Sequence, residues 1–268
     1  MAVPCVREVR QEGAVAVLTV SADPAALDCE PRPKVSAAGP KPVTDNYPFL
    51  YLRDPGIPSF YVMAVLGILL ASFVGIQASG GRIRQMTPYA DLFLMGVAFL
   101  LLETKNIVQF ALLFGTTWMV NALVFAGILL TVLGAIEVAR RVRLPQPGVL
   151  YALLFVALGI AWIVPQSALL DLVLPIRFVV ATVLAFTPIF IANIAFAQRF
   201  KDTASSTAAF GANLLGAMIG GILEYGSLIV GYRALLIVAA GIYLLAYLAG
   251  RKHLVGKASV PAAVGSSR

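Results

Sequence analysis

Apolar stretches long enough to cross a bilayer follow one another from Ser59 to Gly250, and two of them carry a carboxylate near the centre, Glu103 and Glu224. About twenty apolar residues in a helix match the hydrocarbon thickness of a membrane. A carboxylate inside such a stretch costs roughly 2.5–3.5 kcal/mol on insertion scales, so it needs a partner or a wet cavity. The first property names the solvent in which this chain folds, and the second marks where function is most economically placed.

Composition supports that reading. The chain is 60% hydrophobic and 12% charged, against roughly 25% charged residues in soluble domains. The expected fold class is all-α: a polytopic membrane helix bundle of about seven transmembrane helices, in direct contact with a lipid bilayer. The candidate spans are roughly 58–77, 89–114, 117–139, 148–165, 175–198, 207–230 and 232–250. Residues 1–57 form a short polar, Pro-rich segment, 58–250 the helical domain, and 251–268 a basic tail. Gly13 to Val20 reads as one buried strand.

Local signals set several boundaries. Thr87-Pro88 predicts an N-cap and a first-turn proline for the second span. Gly115-Thr116 leaves almost no loop, which forces a tight hairpin. Pro145, Pro147 and Pro165 bracket the fourth span, and Pro188 predicts a kink in the fifth. Trp118 and Trp162 lie near span ends, where they act as interface anchors.

The net charge of +7 does not point to nucleic acid, because the cations lie in short loops between apolar runs. If seven spans alternate, one side receives Arg82, Arg84, Arg140, Arg141, Arg143, Arg199, Lys201, Arg251, Lys252 and Lys257. The other receives Arg53, Arg177 and Arg233. By the positive-inside rule the C-terminus is cytoplasmic and residues 1–57 lie outside. A bacterial inner membrane suits this pattern.

Function classes that need reactive constellations find little support. His253 stands alone in the tail, and Cys5 and Cys29 are the two cysteines. These make neither a metal or haem ligand set nor a nucleophilic pair, so no cofactor, metal or catalytic residue is expected. One disulfide fits an oxidising compartment, but two thiols make no framework.

The polar residues inside the spans carry the interest. Glu103 and Asn106 share one face of the second span, and Lys105 and Gln109 a neighbouring one. In the sixth, Asn213, Gly216, Gly220, Glu224, Ser227 and Gly231 recur at three- and four-residue steps. Gly216 and Gly220 form a GxxxG pair for close helix packing. Lys105 is expected to pair with Glu224 or Glu103 across the interface. Glu103, Lys105, Asn106, Asn213 and Glu224 are thus the candidate binding residues, and the competing reading is that they only join helices. Asn121, Thr187 and Asn193 are expected to make interhelical hydrogen bonds.

Several runs resemble a known family. Thr44-Asp45-Asn46-Tyr47-Pro48-Phe49-Leu50-Tyr51-Leu52-Arg53 with Ile57-Pro58 is similar to the TDDxPFLYLR…IP junction of membrane-bound spermidine/spermine synthase-like proteins. Phe99 to Lys105, Leu113 to Asn121, Gly211 to Gly216, Leu223 to Tyr225 and Gly231 to Leu235 resemble that family's C-terminal membrane part. The resemblance covers about residues 40–250. It implies a preceding aminopropyltransferase-like domain on a Rossmann-like sheet, with a Gly-rich loop for decarboxylated S-adenosylmethionine. This chain carries no such loop, and Asn46 stands where the family has a second acid. The resemblance therefore implies a membrane module without the transferase domain. Such a module would bind or move a small cation such as a polyamine, or would anchor a soluble synthase-like partner. The outside placement of residues 1–57 conflicts with a cytosolic aminopropyl donor.

Overall fold

In hydrocarbon, backbone N–H and C=O groups find no water, so a lone apolar segment satisfies them internally as a helix. The computed structural model follows this rule throughout the region of apolar runs. It describes residues 5–10, 16–21, 44–49, 52, 56–78, 83–142 and 146–255. The chain divides into two units, Met1–Pro42 and Val43–Arg268.

The first unit contains an antiparallel hairpin of β1 (Cys5–Arg10) and β2 (Ala16–Ser21), registered from Cys5 opposite Ser21 to Arg10 opposite Ala16. The expected strand from Gly13 is thus β2, and its pairing partner was not foreseen. Burial of these strands lies outside the described residues, as do Cys29 and the turn at Gly13.

The second unit is a helical bundle. Its helices are α1 (Ser59–Ala78), α2 (Ala90–Phe114), α3 (Trp118–Arg141), α4 (Pro147–Ile163), α5 (Gln166–Leu170), α6 (Leu174–Lys201), α7 (Ser206–Leu223), α8 (Ser227–Val230) and α9 (Ala234–Val255). Helices occupy all seven expected positions. Five stretches are long and apolar enough to cross a membrane: Thr87–Phe114, Trp118–Arg141, Leu174–Lys201, Ser206–Val230 and Ala234–Arg251. Ser59–Ser72 and Pro147–Ile163 are shorter apolar helices.

Breaks between helices have local causes. Gly115 adopts φ +100°, which L side chains rarely tolerate, and turns α2 into α3 as the hairpin requires. Thr117 then caps α3 by accepting from the Val120 amide at 3.3 Å. Pro147 occupies the first turn of α4. The cap expected at Thr87 does not form. Thr87 opens a 3-10 turn, and its hydroxyl donates to the Arg84 carbonyl at 2.9 Å. Pro188 is buried within α6, which runs through it.

α2 is the central helix, packed against α7, α9, α3 and α6. Its contact with α7 is backbone on backbone. A Cβ at Gly216 would run into the Phe93 carbonyl, and one at Gly220 would sit 2.6 Å from the Val97 carbonyl. Gly96 on α2 answers from the other side, where a Cβ would strike the Asn213 carbonyl. The contacts climb together from Leu92 to Thr104 and from Asn213 to Glu224, so the two helices run parallel.

Each end of the bundle collects particular elements. One end brings together Asp91 of α2, Pro147 of α4, Arg199 of α6 and Gly250 of α9. The other gathers Lys105, Trp162, Gln166 and Arg233. Residues 44–49 bind to this second end. Asn46 accepts the Tyr232 amide on its carbonyl at 3.1 Å and the Arg233 amide on its side chain at 3.2 Å. Tyr47 donates to the Leu228 carbonyl at 2.8 Å. Asn46 so serves as a cap for the turn at Gly231, where φ is +87°.

If backbone contact holds α2 to α7, Gly216→Leu will destabilise the bundle by about 1–3 kcal/mol through overpacking. Gly159→Leu, where nothing lies within 4 Å of a new Cβ, will stay within about 0.5 kcal/mol of the parent. Unfolding in detergent micelles checks both.

Candidate functional site

The polar side chains of α2 diverge, because successive helical residues turn by about 100°. Thr104 faces α7 and donates to Glu224 Oε2 at 2.5 Å. Glu224 is the residue at which α7 ends and a 3-10 turn, Glu224–Gly226, begins before α8. Glu103 is half-buried beside this pair and interacts with Glu224 as one like charge with another. Among the described residues, neither carboxylate is bonded to a basic side chain. Tyr225, next in the chain, lies 5.1 Å from the ring of Tyr61 on α1.

Lys105 does not take either glutamate, contrary to expectation. It is only 5% exposed and donates to Gln109 Oε1 one turn along α2. Asn106 leaves the glutamate face as well, and donates to the Ala185 carbonyl of α6 at 3.1 Å. Asn213 joins helices as anticipated for buried polar glue, donating to the Leu92 carbonyl at 3.0 Å. Among the described residues the other expected interhelical bonds do not form: Asn193 donates to Ile189 of its own helix at 2.8 Å, while Asn121 and Thr187 are exposed.

Around Lys105 the second end of the bundle assembles a donor-rich cluster. α5 presents Gln166, 7% exposed, whose Oε1 accepts from the Tyr232 hydroxyl. Burial pushes the Tyr232 phenol up to about 12, against the lowering effect of the Arg233 charge. The hydroxyl therefore stays a donor and orients the Gln166 amide. Arg233 donates to the Trp162 carbonyl at 2.8 Å and lies 5.1 Å from the centre of the Trp162 ring, a cation–π contact. Trp162 is thus more than an anchor. Trp118, 78% exposed at the start of α3, fits the anchor role.

The opposite end holds an ion pair that was not foreseen. Arg199 Nε lies 2.5 Å from Asp91 Oδ2, with the side chains 11% and 4% exposed. The pair lines a cleft of about 290 Å³ together with Tyr151, Tyr247 and Gly250. Arg199 entered the sequence reading only as a loop cation and Asp91 not at all, because a partner 108 positions away leaves no local trace. Gln166 and Tyr232 escaped notice for a related reason, since each sits at the edge of an apolar run. Their signal was a polar residue directly after Pro165 or Gly231.

Compared with protein-family profiles, curated proteins and solved structures, the chain matches none. Among the described residues no group of three or more His, Cys, Asp or Glu side chains is placed to hold a metal ion.

Removing one member of a buried ion pair leaves the other charge uncompensated. Asp91→Ala should therefore cost about 3–5 kcal/mol of stability, and the paired replacement Asp91→Leu with Arg199→Met should recover most of it. Thermal unfolding of the three variants in micelles decides the matter.

Proposed function

We propose that the chain is a membrane-embedded module that binds, and in the fuller reading moves, a small organic cation at Glu103 and Glu224. The observation that carries this is a pair of carboxylates near enough for their charges to act on one another, whose one hydrogen-bond donor among the described residues is the neutral Thr104 hydroxyl. Two like charges within apolar stretches repel one another and lack solvation. A cation between them relieves both costs at once. An amine with several charged nitrogens, such as a polyamine, suits two carboxylates in reach of each other.

The finer topology belongs to the same proposal. All seven apolar helices cross, with the 17 residues of α4 at the short end of the spanning range. The end bearing Arg140, Arg141, Arg199, Lys201 and Arg251 faces the cytoplasm of a bacterial inner membrane, and the C-terminus with it. The likeness to the membrane part of spermidine synthase-like proteins motivates the choice of amine. A module that merely anchors a soluble synthase-like partner is the competing outcome.

Proteoliposomes loaded by reconstitution test this with labelled spermidine. Saturable binding or uptake in the parent, reduced at least tenfold in both Glu103→Gln and Glu224→Gln, is the expected result. Folded variants that behave as the parent, or a parent without binding, would leave the anchor.

A further inference from the structure

The Lys105 cluster has the wrong charge for the cation site and an unfilled hydrogen-bonding capacity of its own. Lys105 and Arg233 are close enough for their charges to act on one another, yet neither is paired with an acid among the described residues. The acids near this end, Asp45 and Asp171, are exposed on the surface. Lys105 uses one of its three donors on Gln109. The Gln166 Nε2 is buried with no hydrogen-bond partner, and its residue is more than nine-tenths buried. An unmet buried amide is destabilising, and the buried, unneutralised ammonium of Lys105 adds to that, with the partly exposed Arg233 beside it.

These groups line one cavity, which also borders Gln109, Trp162 and Tyr232. Its volume is about 10 Å³, the space for one occupant of water size. Water satisfies the amide but leaves the charge. A monovalent anion of similar size accepts from the ammonium and from Nε2 while neutralising the wall. We infer that Lys105, Gln166 and Arg233 form a binding site for a small monovalent anion of the halide class, at the end of the bundle opposite the Asp91–Arg199 pair. The Tyr232 hydroxyl holds the Gln166 amide by its oxygen, and Arg233 stacks over the Trp162 ring at the same cavity.

The site is separate from the proposed cation site, so the two stand or fall apart. Purified protein in micelles is titrated with chloride against gluconate at constant ionic strength, following the unfolding temperature. The expected result is a saturable rise with chloride and with bromide that the bulky gluconate does not give. Gln166→Leu should weaken the apparent affinity about tenfold or more, the equivalent of one lost hydrogen bond to a charged group. Lys105→Met should abolish the rise, while Glu224→Gln should keep it. If those variants fail to fold, bromide-soaked crystals of the parent give the same answer through an anomalous peak between Lys105 and Gln166. Equal stability in chloride and gluconate, a rise that survives in Gln166→Leu and Lys105→Met, or no bromide peak at that position would overturn the inference.

Discussion

The near-contact of two backbones, α2 and α7, is the constraint on which the rest of this bundle depends. In lipid there is no hydrophobic force to press helices together, so packing and hydrogen bonds must do it. Gly96, Gly216 and Gly220 remove the side chains that would keep the axes apart, and Asn213 then reaches the Leu92 carbonyl. The same register, continued upward, delivers Glu224 to Thr104. A carboxylate at that depth is thus a consequence of how the glycines align the helices.

Close packing on one face of α2 also sorts its polar residues. Glu103 and Lys105 are two positions apart, hence about 200° apart around the helix. They cannot serve one partner. Glu103 joins the α7 side with Glu224, and Lys105 turns to α5 and the start of α9. The result is that these two charges stay on different sides of the central helix, whereas Asp91 of the same helix is cancelled by Arg199. Such separation is costly for a protein that only needs to fold. That cost is the physical reason to read both clusters as ligand sites.

Much of the architecture was legible because in a membrane length and hydropathy dominate. Helices lie at all seven apolar runs, and the Gly115 hairpin and the GxxxG stripe took the forms that local chemistry requires. The Thr87 cap failed because the chain enters α2 through a 3-10 turn, where the hydroxyl is closer to Arg84. What the sequence hides is rotation and distance. A linear reading places Lys105 near Glu103, although the helix sends them apart. It gives no hint that Asp91 meets Arg199, or that Asn46 caps the turn before α9. The residues of the donor cluster come from four separate segments, so only the folded chain brings them together.

A double-mutant cycle on Lys105→Met and Glu224→Gln tests this separation of charge most directly. Unfolding free energies of the parent, the two single variants and the double variant give the coupling between the two side chains. The account predicts additivity within about 0.5 kcal/mol, because each residue has its own partners. A coupling well beyond that, approaching about 3 kcal/mol, would show that lysine and glutamate meet across the interface and would contradict the account.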